Sequence, residues 1–260
     1  MSVKDHYTHG TPNWVDLATT DVEAAQAFYG ALLGWTFTEN PTDQGSPYVM
    51  ATKGGRNVAG MMQMAPDMQA GGMPSMWNTY VAVDDVAAIT AAAENAGGSV
   101  MVPPMQVMEH GHMSMIVDPT GAPVGLWQAG AHIGAELVNE PGAICWNELQ
   151  THDVPAAAAF FEQLLGWGAQ TEAMEGIGSY TVFMLGEVGI CGSLTPPIAE
   201  VPPHWSVVFA VEDADAAAAR ATELGGGVHA EPFDAMPGRI TVLSDPTGAV
   251  FQAIQLHSTD

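Results

Sequence analysis

The chain has 260 residues, and at roughly 100–200 residues per domain this length suits two domains better than one or three. Hydrophobic residues make up 47% and charged residues 13%, too apolar for an unfolded chain, yet no apolar run approaches the roughly 20 residues of a membrane helix, so a soluble globular protein without a membrane partner is expected. Acidic residues outnumber basic ones 29 to 5, for a formal charge of −24, and such a field repels phosphate backbones and so argues against nucleic acid as a partner. The first residues lack a basic segment followed by an apolar core, which makes the cytoplasm the expected location. Two cysteines, Cys145 and Cys191, are too few for a disulfide framework or a thiolate-only zinc site.

In chain order, the first feature is a repeat. Trp14 to Asp21 (WVDLATTD) recurs as Trp146 to Asp153 (WNELQTHD), and Phe28 to Trp35 (FYGALLGW) recurs as Phe160 to Trp167 (FFEQLLGW), both at an offset of 132. The turn Asp118-Pro119-Thr120-Gly121-Ala122 returns as Asp245 to Ala249 at an offset of 127, so a few residues are missing between the blocks of the second copy. Two similar domains follow, 1–130 and 131–260, with a linker at about 130–142. Each copy opens with a short strand. Asp21 or Asp153 caps the following Ala-rich helix, and Gly34 or Gly166 stops it. Apolar stretches at Tyr48 to Thr52 and Val58 to Met64, separated by Lys53-Gly54-Gly55-Arg56, read as strands. The order then repeats within the copy: strand Asn78 to Val83, helix Val86 to Ala96 ended by Gly97-Gly98, and strands Met113 to Val117 and Val124 to Gln128. Equivalents in the second copy are Ser206 to Val211, Ala214 to Leu224, Ile240 to Leu243 and Val250 to Ile254. Four β-α-β-β-β modules account for nearly the whole chain.

This arrangement resembles the vicinal oxygen chelate superfamily of glyoxalases, bleomycin-resistance proteins and extradiol dioxygenases. Asp21 with Phe28-Tyr29 and Leu33-Gly34-Trp35 is similar to its first-helix signature, and Asp118-Pro119-Thr120-Gly121 to its last-hairpin signature. Gly10 to Leu17, Trp77-Asn78-Thr79-Tyr80 and Gly125-Leu126-Trp127-Gln128 resemble its tandem-domain actinobacterial branch, which includes a mycobacterial culture-filtrate antigen. The resemblance implies an α+β fold of two tandem glyoxalase-like domains, each of two β-α-β-β-β modules whose curved mixed sheet encloses a cleft. Metal-dependent members carry ligands on the first, fourth, fifth and eighth strands. By count from Asp21 and Asp118, the corresponding residues here are Trp14, Gly60, Asn78 and Gly125, and in the second domain Trp146, Gly192, Ser206 and Gln252. Indole is only a donor, glycine has no side chain, and amides and hydroxyls bind divalent ions weakly without imidazole, thiolate or carboxylate beside them. No metal and no other cofactor is therefore expected. Glu109-His110-Gly111-His112, the nearest rival, lacks a spaced third ligand and reads as a loop entering a strand.

Strand parity places Val15 and Leu17 toward the helix and Trp14, Asp16 and Ala18 toward the cleft. Asp16 and its counterpart Glu148 are thus inward carboxylates, suited to orient a hydroxyl or to act as acid or base with a pKa raised by apolar surroundings; a strand-end carboxylate bonded to backbone amides is the plainer alternative. Twelve of the 16 methionines lie from Met50 to Met115, and thioethers adapt to varied apolar shapes, although simple core filling also accounts for them. The expectation is a monomeric, metal-free binder of a small, mainly apolar organic molecule, a metabolite or antibiotic-like compound. Its contacts would be Trp14, Asp16, Met62, Asn78, Tyr80, Gly125 and Trp127, with Trp146, Glu148, Ser206 and Gln252 opposite them in the second copy. Two alternatives stand beside it. One is a detoxification or secondary-metabolism enzyme (lyase, hydroxylase-like or isomerase) using Asp16 or Glu148; the other is an interaction protein whose clefts are filled.

Overall fold

The computed structural model describes residues 2–42, 45–174 and 178–257. The first module runs β1 (Pro12–Thr19), α1 (Val22–Leu33), β2 (Thr36–Asn40), β3 (Tyr48–Lys53) and β4 (Arg56–Gln63). A short helix, α2 (Pro66–Ala70), leads to the second: β5 (Met76–Ala82), α3 (Val86–Asn95), β6 (Ser99–Val107), β7 (Gly111–Val117) and β8 (Pro123–Ala129). The second half repeats this with β9 (Ile144–Gln150), α4 (Val154–Leu165), β10 (Gly168–Met174), β11 (Gly178–Leu185) and β12 (Val188–Leu194). It closes with β13 (His204–Ala210), α5 (Ala214–Glu223), β14 (Gly227–Ala235), β15 (Gly238–Ser244) and β16 (Val250–Leu256). Each half forms one eight-stranded mixed sheet, ordered β2-β3-β4-β1-β5-β8-β7-β6 and β10-β11-β12-β9-β13-β16-β15-β14. No helix among the described residues is long and apolar enough to cross a membrane.

Local chemistry explains the element ends. The Asp21 and Asp153 side chains accept from Ala24 N and Ala156 N at 3.0 Å, and Gly34 and Gly166 take the left-handed conformation at φ 73° and 70°, as N-caps and C-terminal glycines do. In the Asp118 turn, Oδ1 accepts from the amides of Thr120, Gly121 and Ala122. The outer strands β6 and β14 had no clear signal. Pro103 and Pro104 lie inside β6, which is tolerable because β6 is an edge strand, and its register with β7 shifts twice, blurring any alternation.

Convex faces of the two sheets pack against each other, with α1 beside α5 and α3 beside α4. The contact is reciprocal. Trp35 Nε1 donates to Gly142 O across the junction at 2.6 Å, and Trp167 Nε1 donates to Gly10 O at 2.8 Å. Phe28 of α1 lies against Gly226, where a β-carbon would come 2.8 Å from its ring; Phe160 of α4 lies against Gly98 at the same 2.8 Å. Gly98 and Gly226 therefore do more than end helices: they let the opposite domain's phenylalanine approach. Thr79 Oγ1 donates to Asn147 Oδ1 at 2.9 Å between β5 and β9. Cys191 is buried and Cys145 half-buried, each one residue from an inward position. Burial pushes the Cys145 thiol up to about 12 and that of Cys191 well above its usual range, so both stay protonated and poorly nucleophilic at neutral pH.

The repeat breaks at one buried bond. Trp77 Nε1 donates to the Tyr29 hydroxyl at 2.9 Å. In the other half Tyr29 is replaced by Phe161, with Phe161 and Trp205 in the same edge-to-face arrangement at 5.8 Å and 79°. Trp205 Nε1 is buried without a partner there. Phe161→Tyr is expected to stabilise the protein by about 1 kcal/mol by supplying the missing hydroxyl, and Tyr29→Phe to cost about 1–2 kcal/mol by orphaning Trp77. Urea denaturation of both variants checks this; a destabilised Phe161→Tyr would mean that the pocket lacks room for the oxygen.

Candidate functional site

Register builds the floor of the first concave face. Asp16 sits beside Gly60 on β4 and opposite Asn78 on β5, Trp14 lies opposite Tyr80, and Tyr80 neighbours Gly125 on β8. Since alternate side chains share a face, Trp14, Asp16, Gly60, Met62, Asn78, Tyr80, Gly125 and Trp127 are brought together. Asp16, 4% exposed, is the hub. Its Oδ1 accepts from Asn78 Nδ2 at 2.9 Å, and its Oδ2 from the Tyr80 hydroxyl at 3.0 Å and the Tyr48 hydroxyl at 3.3 Å. Tyr48 in turn accepts from Trp14 Nε1 at 2.9 Å. Burial raises the Asp16 pKa, and its three donors oppose the rise. Burial and then the Asp16 charge hold Tyr48 and Tyr80 well above the usual phenol range, so both act as fixed donors.

The floor is closed at one end. His132, just after β8, packs edge-on to Trp14 at 4.5 Å and against Trp127 at 5.6 Å, and its carbonyl accepts from Trp127 Nε1 at 2.8 Å. Burial lowers the His132 pKa to about 4, leaving the ring neutral. Trp14 and Trp127 are consequently buried, whereas Asn78, Met62 and Met76 are half-buried on the concave face, and half-buried Met50 and Met113 pack against the hydrophobic core.

The second concave face repeats part of this network. Trp146 Nε1 donates to the Tyr180 hydroxyl at 2.9 Å. Glu148 Oε1 accepts from Gln252 Nε2 at 2.9 Å and Gln150 Nε2 at 3.3 Å, and Gln252 also donates to Ser206 Oγ at 3.1 Å. Burial raises the Glu148 pKa, opposed by Gln252, Tyr180 and Gln150. Residues 14, 16, 48 and 60 correspond at the offset of 132 to 146, 148, 180 and 192. A β-carbon at Gly60 or Gly192 would fall inside the facing tyrosine hydroxyl. Sequence reasoning missed Tyr48 and Tyr180, although the same offset carried the signal. The other half of each floor differs: Val208 stands where the first domain has Tyr80, and Gln252 where it has Gly125. His110 lies in the turn before β7, where its carbonyl accepts from His132 N at 3.1 Å behind the closed end of the first floor, and His112 is exposed on β7.

Residues 11–126 match the family described as Glyoxalase/Bleomycin resistance protein/Dioxygenase superfamily, and residues 144–254 match a glyoxalase-like domain. The chain belongs to the glyoxalase/bleomycin resistance protein/dioxygenase superfamily. CFP32 of Mycobacterium tuberculosis, which bears a provisional glyoxylase name, is 48% identical over 98% of both chains. The anthracycline biosynthesis protein DnrV of Streptomyces peucetius is 36% identical over 96% of this chain and 95% of its own. Among solved structures, the Mn(II)-bound glyoxalase from Novosphingobium aromaticivorans superposes with a TM-score of 0.66 at 16% identity, covering 98% of this chain and 85% of that one. The 2,3-dioxygenase LapB from Pseudomonas sp. KL28 gives 0.67 at 16% identity, covering 97% and 94%.

The metal seen in the superfamily's Mn(II)-bound glyoxalase finds no suitable donor set here. Trp14, Gly60, Asn78 and Gly125 offer an indole, a carboxamide and two glycines, and the space over the glycines is filled by the Tyr48 hydroxyl and the Tyr80 ring. Trp146, Gly192, Ser206 and Gln252 are no better suited. Among the described residues no three His, Cys, Asp or Glu side chains group together.

Proposed function

We propose that this superfamily member acts without a metal ion as a cytoplasmic, monomeric binder of a small, mainly apolar organic molecule, flat and aromatic in class, on its first concave face. The observation that carries this reading is half-buried Met62 and Met76, which flank Ala18 next to Asn78 without joining either hydrophobic core, above a floor whose Asp16 hydrogen bonds are already made within the protein. Thioethers conform to varied apolar shapes, and the Asn78 carboxamide keeps an acceptor and an N–H for one polar ligand contact. Similarity over nearly the whole chain to a protein of anthracycline biosynthesis supports a fused-ring aromatic ligand. With four modules in one chain, both sheets are complete without a partner.

Daunomycinone, the amine-free aglycone of daunorubicin, titrated into protein dialysed against EDTA should quench tryptophan fluorescence and saturate. Met62→Glu should weaken binding at least tenfold, about 1.4 kcal/mol or more, with an unchanged melting curve. Asp16→Asn should change affinity little. Binding that needs an added divalent ion, or that Met62→Glu leaves intact, would overturn the reading. Turnover of the ligand that Asp16→Asn abolishes while affinity survives would favour an enzyme using Asp16 as base.

A further inference from the structure

The second concave face differs from the first in a way that selects for charge. Glu148 is 6% exposed and its donors are neutral: the Gln252 and Gln150 amides both reach Oε1, and the Tyr180 hydroxyl is a third. Oε2 lies outside both bonds. No Lys or Arg among the described residues pairs with this carboxylate. In the first domain two phenols cover the equivalent Asp16 oxygen; here Val208 replaces one of them, and only Tyr180 remains. Trp146 and Tyr180, joined by the Trp146 Nε1 hydrogen bond to the Tyr180 hydroxyl, are half-buried next to the carboxylate. Around them Val182, Met184, Ile240 and Val242 are half-buried on the inner face without joining either hydrophobic core. Ser206 Oγ, which accepts from Gln252, keeps its own proton to donate.

We propose that this face is a second binding site, independent of the first, for a primary amine carried on a compact apolar group. The ammonium would meet Glu148 Oε2 beside the Trp146–Tyr180 pair, combining a charge-assisted hydrogen bond with cation–π contact. The apolar group would lie on Val182, Met184, Ile240 and Val242. A formal charge of −24 favours the approach of cations to the whole molecule.

Isothermal calorimetry with phenethylammonium chloride and with 2-phenylethanol, which differ chiefly in the charged head, tests the site. The amine should bind the wild type at least tenfold tighter than the alcohol. Glu148→Gln should remove that preference and Asp16→Asn should keep it. Should Glu148→Gln fail to fold, Val208→Tyr with Gln252→Gly, which copies the first floor, should remove the preference by covering the carboxylate. Equal binding of the two probes, a preference that survives both replacements, or one lost in Asp16→Asn would overturn the proposal. Met62→Glu should leave amine binding unchanged, so the two sites can fail separately.

Discussion

Phe28→Ala is expected to lower the free energy of unfolding by about 3–5 kcal/mol, the range for deleting a buried aromatic side chain that cannot be replaced by relaxation. Phe28 is 1% exposed on α1, yet its surroundings belong largely to the other half of the chain: Phe251 on β16, 6.2 Å away and edge-on, and the backbone at Gly226. Truncation would open a cavity between domains rather than within one. Phe160→Ala should cost a similar amount for the mirrored reason, since its ring rests against Gly98. Urea denaturation followed by circular dichroism measures both. A cost below about 1 kcal/mol for either would show that the two sheets do not rely on this reciprocal contact.

Gly60→Ala should detach Tyr48 from the first floor. The new β-carbon would overlap the hydroxyl and the adjoining ring carbon of Tyr48, and half-buried Tyr48 can escape only outward. Its bonds to Trp14 and Asp16 would be lost together. With about 0.5–1.5 kcal/mol for the neutral bond and 1.5–3 for the one to a charged group, the expected cost is about 2–4 kcal/mol. The displaced ring would also lie across its β4 neighbour Met62, so ligand binding to the first face should fall with stability. Gly192→Ala should do the same to Tyr180, where the β-carbon would also approach Trp146 Nε1 at 2.8 Å. Melting temperatures of the two variants check the result. A stability loss in one half alone would contradict the shared design of the floors.

Much of the candidate site was legible before any coordinates. The 132-residue offset located both floors, and strand alternation turned Trp14 and Asp16 inward because adjacent strand residues must face opposite ways. That alternation could not rank the inward groups by accessibility. Trp14 and Trp127 face the concave side as expected but lie beneath Tyr48 and His132, which arrive from a hairpin and from the segment after β8. Tyr48 went unremarked because nothing local marks a tyrosine in a short strand as the partner of a carboxylate 32 positions earlier.

By itself the sequence determined whatever depends on near neighbours and on repetition: the caps at Asp21 and Asp153, the glycine stops, the Asp118 and Asp245 turns, the four modules, and the family to which they belong. These rest on hydrogen bonds and dihedral limits within a few residues. Only the tertiary structure decided how the modules meet. Gly98 and Gly226 read as ordinary turn glycines until the phenylalanine of the other domain is placed against them. The contrast between Asp16, covered by two phenols, and Glu148, covered by one phenol and two amides, emerges only when β5 and β13 are set beside β1 and β9. Contacts between residues more than fifty positions apart leave no local pattern, because their partners are chosen by packing of whole sheets and not by the chain on either side.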